Sequence, residues 1–242
     1  MKIIRVKDYE ELSKHAANYI IEKVRKKPNM VLGLATGGTS EGTYQNMIND
    51  YKENHTSYKE ITTFNLDEYI GLDGINKNSY RFFMDTHLFN HLDIDQTKTF
   101  VPRGNAKDPM AECNTYELLI KEHGGIELQL LGIGGNGHIG FNEPGSSFQS
   151  RTHLVELTDS TRRANARFFE KLEDVPTLAI TMGIATIMES KEILLLASGE
   201  AKREAIKRLL EGKVSEDFPA SILNKHSNVT IIADEAALSG LS

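Results

Sequence analysis

His138 and Glu143 are the side chains best suited to proton transfer in a glycine-rich segment that spans residues 132–143. Histidine titrates near neutral pH and can carry a proton to or from a hydroxyl, and a carboxylate can fix its tautomer. The segment also contains Asn136 and Asn142, and five glycines: Gly132, Gly134, Gly135, Gly137 and Gly140. Because so much glycine costs stability but lets the backbone approach a ligand closely, the segment is predicted to be functional.

Three of these glycines, Gly132, Gly134 and Gly137, match the G-x-G-x-x-G pattern of dinucleotide-binding proteins. That pattern requires a helix that opens at the third glycine. Here Gly140, Pro144 and Gly145 follow, and they disfavour a regular helix. The sequence therefore does not predict a nicotinamide site.

A second glycine turn, Thr36–Ser40, follows an apolar run and precedes a helical pattern. Gly37 and Gly38 let the backbone bend around an anion, and the N–H groups of a helix N-terminus, with the hydroxyls of Thr39 and Ser40, could bind it. A plain turn in which Ser40 caps the helix explains the pattern equally well. No G-K-[ST] follows, so a nucleoside triphosphate is not predicted.

Two cations, Arg167 and Lys202, could complete a phosphate site. Lys202 lies in the first turn of a predicted helix, where a cation is unfavourable unless an anion is nearby. Arg167 lies in a predicted helix after a stretch rich in glycine and serine, and taken alone it is more typical of a solvated surface.

Asp67 follows a predicted strand at residues 61–65, which places it near the other loops at the carboxyl ends of strands. A carboxylate in a partly desolvated crevice has a raised pKa and can act as a base on a carbon acid. A turn aspartate or a helix cap is the alternative. The neighbouring Glu68 is an equally good carboxylate, and composition does not choose between the two.

Other reactive side chains favour structural interpretations. His87 and His91 have a spacing used in metal sites, but the zincin glutamate is missing, so a solvated helix face is favoured. The single cysteine, Cys113, lies in a predicted helix and is expected to be inert. Ser146 is not in a G-x-S-x-G elbow, so serine hydrolase chemistry is not supported.

The composition of the 242-residue chain narrows the class of partner. With 34 acidic and 28 basic residues the net charge is -6, which argues against nucleic acid but not against a small phosphorylated ligand. The N-terminus is too charged for a signal peptide, and no apolar run reaches membrane-spanning length. We therefore expect a cytoplasmic protein with no membrane partner.

Apolar runs alternate with amphipathic stretches along the whole chain. Strands are predicted at 3–6, 30–35, 61–65, 99–101, 128–133, 152–157, 178–182, 192–197 and 229–233. Helices are predicted at 9–26, 41–51, 79–92, 109–123, 160–169, 184–189 and 200–211. This alternation predicts one α/β domain over residues 1–242, Rossmann-like, with a parallel sheet covered by helices on both faces.

The segments ATGGTS, NLDEY, LLGIGGNGHIGFNEPGSSF, SRTH and TRRANARFF resemble those of glucosamine-6-phosphate deaminases. With TMGI and EDFPAS the resemblance covers essentially the whole chain. It implies conversion of glucosamine 6-phosphate and water into fructose 6-phosphate and ammonia, without a cofactor or a metal, in amino-sugar catabolism.

The resemblance also implies roles for individual residues. His138 would open the sugar ring by moving a proton between O1 and O5, with Glu143 and Asn136 orienting and polarising it. Asp67 would take the C2 proton and return it at C1. The phosphate would be bound by Gly37, Gly38, Thr39, Ser40, Arg167 and Lys202. Residues from about 157 to 180 would form a mobile lid that excludes water.

Two departures from the family pattern carry expectations. Some members have aspartate where this chain has Asn136, so a shifted pH profile with retained activity is expected. Members activated by N-acetylglucosamine 6-phosphate have basic residues after the SRT segment and a longer C-terminal tail, whereas here His153–Glu156 contains no lysine and the sequence ends at Ser242. We expect a monomer or small homo-oligomer with hyperbolic kinetics and without that activation.

Two other functions fit parts of the sequence. Phosphogluconolactonases share the general fold and bind a sugar phosphate, but they would not need Asp67 as a carbon base or the FNEP ending. A sugar-phosphate sensor would be expected to lose Asp67, His138 or Glu143 and to gain a basic DNA-binding segment. The sequence keeps all three residues, so the sensor ranks below both enzymes.

Overall fold

The computed structural model describes residues 1–166 and 169–241, and within these ranges ten strands form two sheets. The strands are β1 (Lys2–Val6), β2 (Val31–Leu34), β3 (Thr62–Asn65), β4 (Asp67–Tyr69), β5 (Thr99–Phe100), β6 (Leu128–Gly132), β7 (His153–Glu156), β8 (Leu178–Thr181), β9 (Ile193–Ala197) and β10 (Val229–Asp234). Seven of them form a sheet in the order β1-β10-β9-β6-β2-β3-β5, and every pairing in it is parallel.

The described ranges contain seven α-helices. They are α1 (Tyr9–Lys26), α2 (Gly38–Asn54), α3 (Tyr80–His87), α4 (Pro109–Glu122), α5 (Asp159–Asn165), α6 (Ile184–Met188) and α7 (Arg203–Leu210). One apolar cluster joins the sheet to α1, α2 and α3, and a second joins the opposite face to α4, α6 and α7. The predicted three-layer, Rossmann-like α/β class is therefore confirmed. Within the described ranges, none of the helices combines the length and the hydropathy that a membrane span requires.

Local sequence explains where the helices begin. The Asp8 side chain accepts the N–H of Glu11 at 3.0 Å and caps α1, which buries Leu12, Ala16 and Ile20 on one stripe. Residues four apart lie on the same face of a helix, so this stripe faces the sheet. Asp108 caps α4 in the same way ahead of Pro109, a residue suited to the first helical turn.

Three predicted details differ in the structure. The segment 66–69, for which no strand was predicted, contains β4, which pairs antiparallel with β8 in a small sheet completed by β7. The helix predicted at 41–51 begins at Gly38. The helix predicted at 79–92 ends at His87 and is followed by a 3-10 turn at Phe89–His91. The short strand β4 lacks a periodic pattern because all three of its residues are buried.

Candidate active site

The candidate site lies at the carboxyl ends of four adjacent strands in the order β9-β6-β2-β3. Because these strands are parallel, the segments that follow them meet at one edge of the sheet, where ligands bind in open α/β folds. A cavity of about 760 Å³ opens there. Among the predicted site residues it is lined by Gly37, Gly38, Thr39, Ser40, Asp67, Asn136, His138 and Lys202. Arg167 lies outside the described residues.

The turn after β2 presents main-chain N–H groups to this cavity. Gly37 precedes the first residue of α2 and has φ 98° and ψ 166°, a conformation that is essentially restricted to glycine. The N–H groups of Gly38 and Thr39, in the first turn of α2, have no partner within the helix. Together with the helix dipole they make this end of the cavity suited to an anion.

The side chain of Ser40 stabilises the turn. Its hydroxyl is 2.8 Å from the carbonyl oxygen of Gly37 and 3.1 Å from that of Ala35, and the side chain is buried. The N–H of Ser40 donates to the Gly37 carbonyl at 3.0 Å. Gly37, and not Ser40, therefore caps α2, so the alternative of a simple Ser40 cap is wrong.

The turn after β9 carries Lys202. Gly199 has φ 89° and donates its N–H to both carboxylate oxygens of Asp234 at 3.0 Å, and the Ser198 hydroxyl donates to the same carboxylate. Lys202 ends the 3-10 turn Glu200–Lys202 and lines the cavity. Asp234, at the end of β10, was not singled out in the sequence, because its partners are distant in the chain.

A chain of hydrogen bonds runs through the loop after β6. The amide nitrogen of Asn136 donates to Glu143 Oε2 at 2.6 Å, and Asn136 Oδ1 lies 2.8 Å from His138 Nδ1. The direct distance between His138 Nδ1 and Glu143 Oε2 is 3.7 Å. Asn136 therefore stands between the imidazole and the carboxylate.

This chain fixes the tautomer of His138. A carboxylate accepts hydrogen bonds, so the NH₂ group of Asn136 faces Glu143 and its carbonyl oxygen faces the imidazole. That carbonyl can only accept, so Nδ1 of His138 carries the proton and Nε2 keeps its lone pair. Burial lowers the pKa of His138, Lys202 adds to the lowering, and Glu143 opposes it. The imidazole is thus neutral and able to accept a proton at Nε2.

Glu143 is held from its other side by α5. The hydroxyl of Thr161 donates to Glu143 Oε1, and Thr161 is itself held by the Thr158 hydroxyl, which accepts its N–H at 3.2 Å. Thr161 and Asn165, one turn apart on α5, both line the cavity. Neither was identified from the sequence, since threonine and asparagine in a helix carry no signal of function. The site is therefore joined to the segment that was predicted as a lid.

Asp67 lies on β4, opposite Thr181 of β8. It is 7% exposed, and burial raises its pKa to about 8, with the charge of Glu68 adding to the rise. A Cβ built on Gly140 would lie 3.6 Å from Asp67 Oδ2, so the carboxylate lies close to the loop that carries His138. Asp67 and His138, remote in sequence, face one cavity.

An aromatic wall completes the cavity. The rings of Tyr69 and Tyr80 lie 4.9 Å apart, and Phe141 is 5.7 Å from Tyr69 and 6.1 Å from Tyr80. The hydroxyl of Tyr80 donates to that of Tyr69 at 3.2 Å. None of these three aromatic residues was predicted as a site residue, because buried aromatic residues are usually core residues.

Comparison with known proteins shows which family of enzymes the chain belongs to. The sequence model of the family described as glucosamine-6-phosphate isomerases/6-phosphogluconolactonase matches residues 7–232. The chain belongs to this family, and it is an enzyme of that family's α/β fold. The resemblance seen in the sequence motifs is confirmed.

Individual relatives narrow the comparison. Glucosamine-6-phosphate deaminase of Halalkalibacterium halodurans is 58% identical over 98% of this chain and 97% of its own length. Glucosamine-6-phosphate deaminase 1 of Bacillus subtilis is 53% identical over 99% of each chain. A solved structure of a monomeric glucosamine-6-phosphate deaminase superposes with a TM-score of 0.97 at 53% identity, covering 99% of each chain.

The other branch of the family shares the fold at low identity. 6-Phosphogluconolactonase from Trypanosoma brucei superposes with a TM-score of 0.78 at 18% identity, covering all of this chain and 98% of that one. At this identity the likeness concerns the architecture alone.

Proposed function

We propose that the enzyme converts D-glucosamine 6-phosphate and water into D-fructose 6-phosphate and ammonia. The observation that carries the proposal is the meeting of Asp67, His138 and the Gly37–Ser40 turn in one cavity. Relatives at 53–58% identity that carry the deaminase name support the choice of substrate. The reaction belongs to the breakdown of amino sugars, and we place it in the cytoplasm.

The phosphate is bound at the N-terminus of α2. The N–H groups of Gly38 and Thr39 and the charge of Lys202 face it, and Gly37 and Ser40 hold the turn in shape. From the sequence resemblance we add Arg167 to this set. Anchoring the phosphate fixes the position of the sugar carbons before reaction, which can remove much of the entropic part of the barrier.

His138 opens the pyranose ring. Its Nε2 lone pair takes the proton from the O1 hydroxyl, and the imidazolium then gives the proton to O5 as the C1–O5 bond breaks. The hydrogen bond from Nδ1 to Asn136, backed by Glu143, stabilises the charge that forms transiently on the ring. The product of this step is the open-chain aldehyde.

Asp67 carries out the isomerisation. Its ionised carboxylate removes the proton from C2 and returns it to C1. The amine nitrogen gives up one proton as the C2=N bond forms and O1 gains one, so C1 becomes a CH₂OH group and C2 an imine carbon. Water then adds to C2 with one of its protons passing to nitrogen, and the remaining hydroxyl proton follows as the C–N bond breaks, which leaves the C2 carbonyl of the ketose and releases ammonia. A base whose pKa is raised towards the working pH accepts a proton from carbon more readily than an ordinary aspartate.

The lactonase alternative is less well supported. Hydrolysis of a lactone breaks a bond at a carbonyl and needs no base at C2, yet Asp67 is buried at the cavity wall at a cost in free energy. A sensor would not require a tautomer-fixed histidine. The arrangement of Asp67 and His138 around one cavity therefore favours the deaminase reaction over these two alternatives.

The decisive experiment is a coupled assay for ammonia and fructose 6-phosphate with wild type and Asp67→Asn. We expect the wild type to release ammonia and fructose 6-phosphate. We expect kcat of Asp67→Asn to be lower than that of the wild type by about 10²–10⁴-fold. Because the folded-state pKa is raised from 3.8 to about 8, Asp67 keeps its proton in the folded protein while the unfolded chain releases it, so the stability of the wild type falls as pH rises between these values. The variant should therefore be at least as stable as wild type at pH 7.

Asp108→Asn is the matched control, because asparagine can also cap α4. It should retain wild-type activity. Hydrolysis of 6-phosphogluconolactone without ammonia release from glucosamine 6-phosphate would contradict the proposal.

We further propose a single domain over residues 1–242 with a lid at about 157–180, acting as a monomer or small homo-oligomer without activation by N-acetylglucosamine 6-phosphate. The solved structure of a monomeric deaminase of 53% identity supports the monomeric state alone. Rate against substrate concentration should be hyperbolic and unchanged by the N-acetylated sugar phosphate. A sigmoidal curve that becomes hyperbolic on its addition would contradict it.

A further inference from the structure

Glu68 is a buried carboxylate that the mechanism does not use. It is adjacent to Asp67 on β4, and successive side chains of a strand point to opposite faces. Asp67 lines the cavity, whereas Glu68 is 2% exposed and points away from it. Burying an ionisable side chain is costly, so its contacts must account for its presence.

Three main-chain N–H groups converge on this carboxylate. Glu68 Oε1 accepts those of Tyr69 and Tyr80 at 2.9 Å, and Oε2 accepts that of Arg81 at 3.0 Å. Tyr69 and Tyr80 are the residues on either side of the segment 70–79. One oxygen therefore joins the two ends of that segment.

The same contacts complete the first turn of α3. Tyr80, Arg81 and Phe82 are its first three residues, and their N–H groups have no partner within the helix. Glu68 accepts the first two, and the hydroxyl of Ser79 accepts the third at 3.0 Å. Glu68 thus fastens α3 to β4, the strand that carries Asp67. Its hydrogen bond with Tyr80 joins residues that are 12 positions apart in the sequence.

The fastened elements line the cavity. Lys77, Asn78 and Ser79 lie on its wall, and Tyr80 contributes its ring and the hydrogen bond to Tyr69. If the first turn of α3 moved, this wall would move relative to Asp67.

We propose that Glu68 is a positioning residue of the reaction: it fixes the segment 70–79 and α3 against β4, and it holds a negative charge beside Asp67. This inference rests on the proposed deamination. The ionisable groups that interact electrostatically with Asp67 are Glu68 and Tyr69 on β4, Tyr80 on α3 and Tyr116 on α4. Burial raises the pKa of Glu68 to about 7, with the three N–H groups opposing the rise, so Glu68 is mostly ionised at the pH near 8 where Asp67 titrates. Among these described residues, Glu68 is therefore the carboxylate whose removal should change the ionisation of Asp67.

Two variants separate the two parts of the proposal. Glu68→Gln removes the charge, so the pKa of Asp67 falls, and the acidic limb of kcat/KM moves to lower pH by about one pH unit. Glu68→Asp keeps the charge but shortens the side chain by one methylene, so the limb stays in place while kcat/KM falls by about 10–100-fold as the wall shifts. A limb that does not move in Glu68→Gln, or wild-type kinetics in Glu68→Asp, would overturn the corresponding part.

Glu112→Gln is the matched control for a merely structural role. Glu112 is another buried carboxylate that holds a loop, since it accepts the N–H of Arg103 at 3.0 Å and its Nε–H at 2.7 Å. This variant should lose stability and leave the acidic limb where it is. If it moved the limb as Glu68→Gln does, the effect would not be specific to Glu68.

Amide hydrogen exchange in the wild-type protein tests the fastening without any variant. The amides of Tyr80 and Arg81 should exchange as slowly as those of β4 and far more slowly than that of Lys77. Exchange as fast as that of Lys77 would overturn the proposal even if both variants failed to fold. Because this measurement needs no turnover, it remains valid if ammonia release by the wild type were absent and the proposed function itself failed.

Discussion

The two glycine-rich turns of this enzyme follow neighbouring strands, β2 and β6, yet they present different chemistry. The Gly37–Ser40 turn enters α2 directly, so its main-chain N–H groups face the cavity. The 133–143 loop folds back on itself, with Gly134 N–H donating to the His138 carbonyl at 2.9 Å, and it presents side chains instead. Glycine permits both shapes. The residues downstream of the first glycines make the difference. After Gly37 they form a helix, which leaves main-chain N–H groups at the cavity, whereas Gly140 and Pro144 prevent a helix in the second segment, so that side chains reach the cavity instead.

Of the variants that test this difference between the two turns, a replacement of His138 should have the largest effect on activity. His138→Gln removes the group that we propose transfers protons but leaves the Gly37–Ser40 turn intact, so kcat should fall by about 10²–10⁴-fold with little change in substrate binding. Steady-state kinetics and binding of the substrate to the variant measure the two effects. His15→Gln, at an exposed helix position, is the control. A large loss of binding with kcat unchanged would contradict the assignment of chemistry to the second turn.

Replacing one glycine of each turn with alanine should have the next largest effect, on stability and on kinetics. Gly37 and Gly137 both have positive φ, of 98° and 88°. A Cβ at Gly137 would lie 2.0 Å from the Phe218 ring, whereas one at Gly37 would meet nothing within 4 Å. Gly37→Ala should therefore cost about 1–3 kcal/mol of unfolding free energy from strain. Gly137→Ala should cost a further ~1–3 kcal/mol from overpacking.

Urea unfolding measures this difference, and kinetics should show a raised KM for Gly37→Ala and a lowered kcat for Gly137→Ala. Gly145→Ala is the control for strain alone, because Gly145 has φ 93° and open space around it. Equal losses of stability at positions 37 and 137 would show that the Phe218 contact is unimportant.

The smallest expected effect concerns the link between Asn136 and His138. Asn136→Asp places a negative charge beside the imidazole and raises the pKa of His138. In the proposed mechanism His138 acts as a neutral base, so its limb of the pH–rate profile should move to higher pH, by about one pH unit, with activity retained. The profile of kcat/KM from pH 5 to 9 measures this. Complete loss of activity, or a shift to lower pH, would contradict the proposed network.

The fold could be predicted because its signals are local and periodic. The stripe of Leu12, Ala16 and Ile20 marks α1, and the apolar run at 192–197 marks a central strand. The short strand β4 could not be predicted, because three residues carry no period and its pairing with β8 joins positions more than one hundred residues apart. Thr161 and Asp234 could not be predicted for the same reason, because their roles depend on hydrogen-bond partners that are distant in the chain.

The sequence by itself determined the class of the sheet, the two glycine turns and the residue types available for proton transfer. Parallel strands bring the segments after them to one edge, so even the grouping of these residues follows from topology. Only the tertiary structure decided which of Asp67 and Glu68 faces the cavity. Neighbours on a strand face opposite sides, and burial and hydrogen-bond partners then left one carboxylate at the cavity and bound the other to the amides of α3. Those surroundings are built from residues far apart in the chain, which no local pattern encodes.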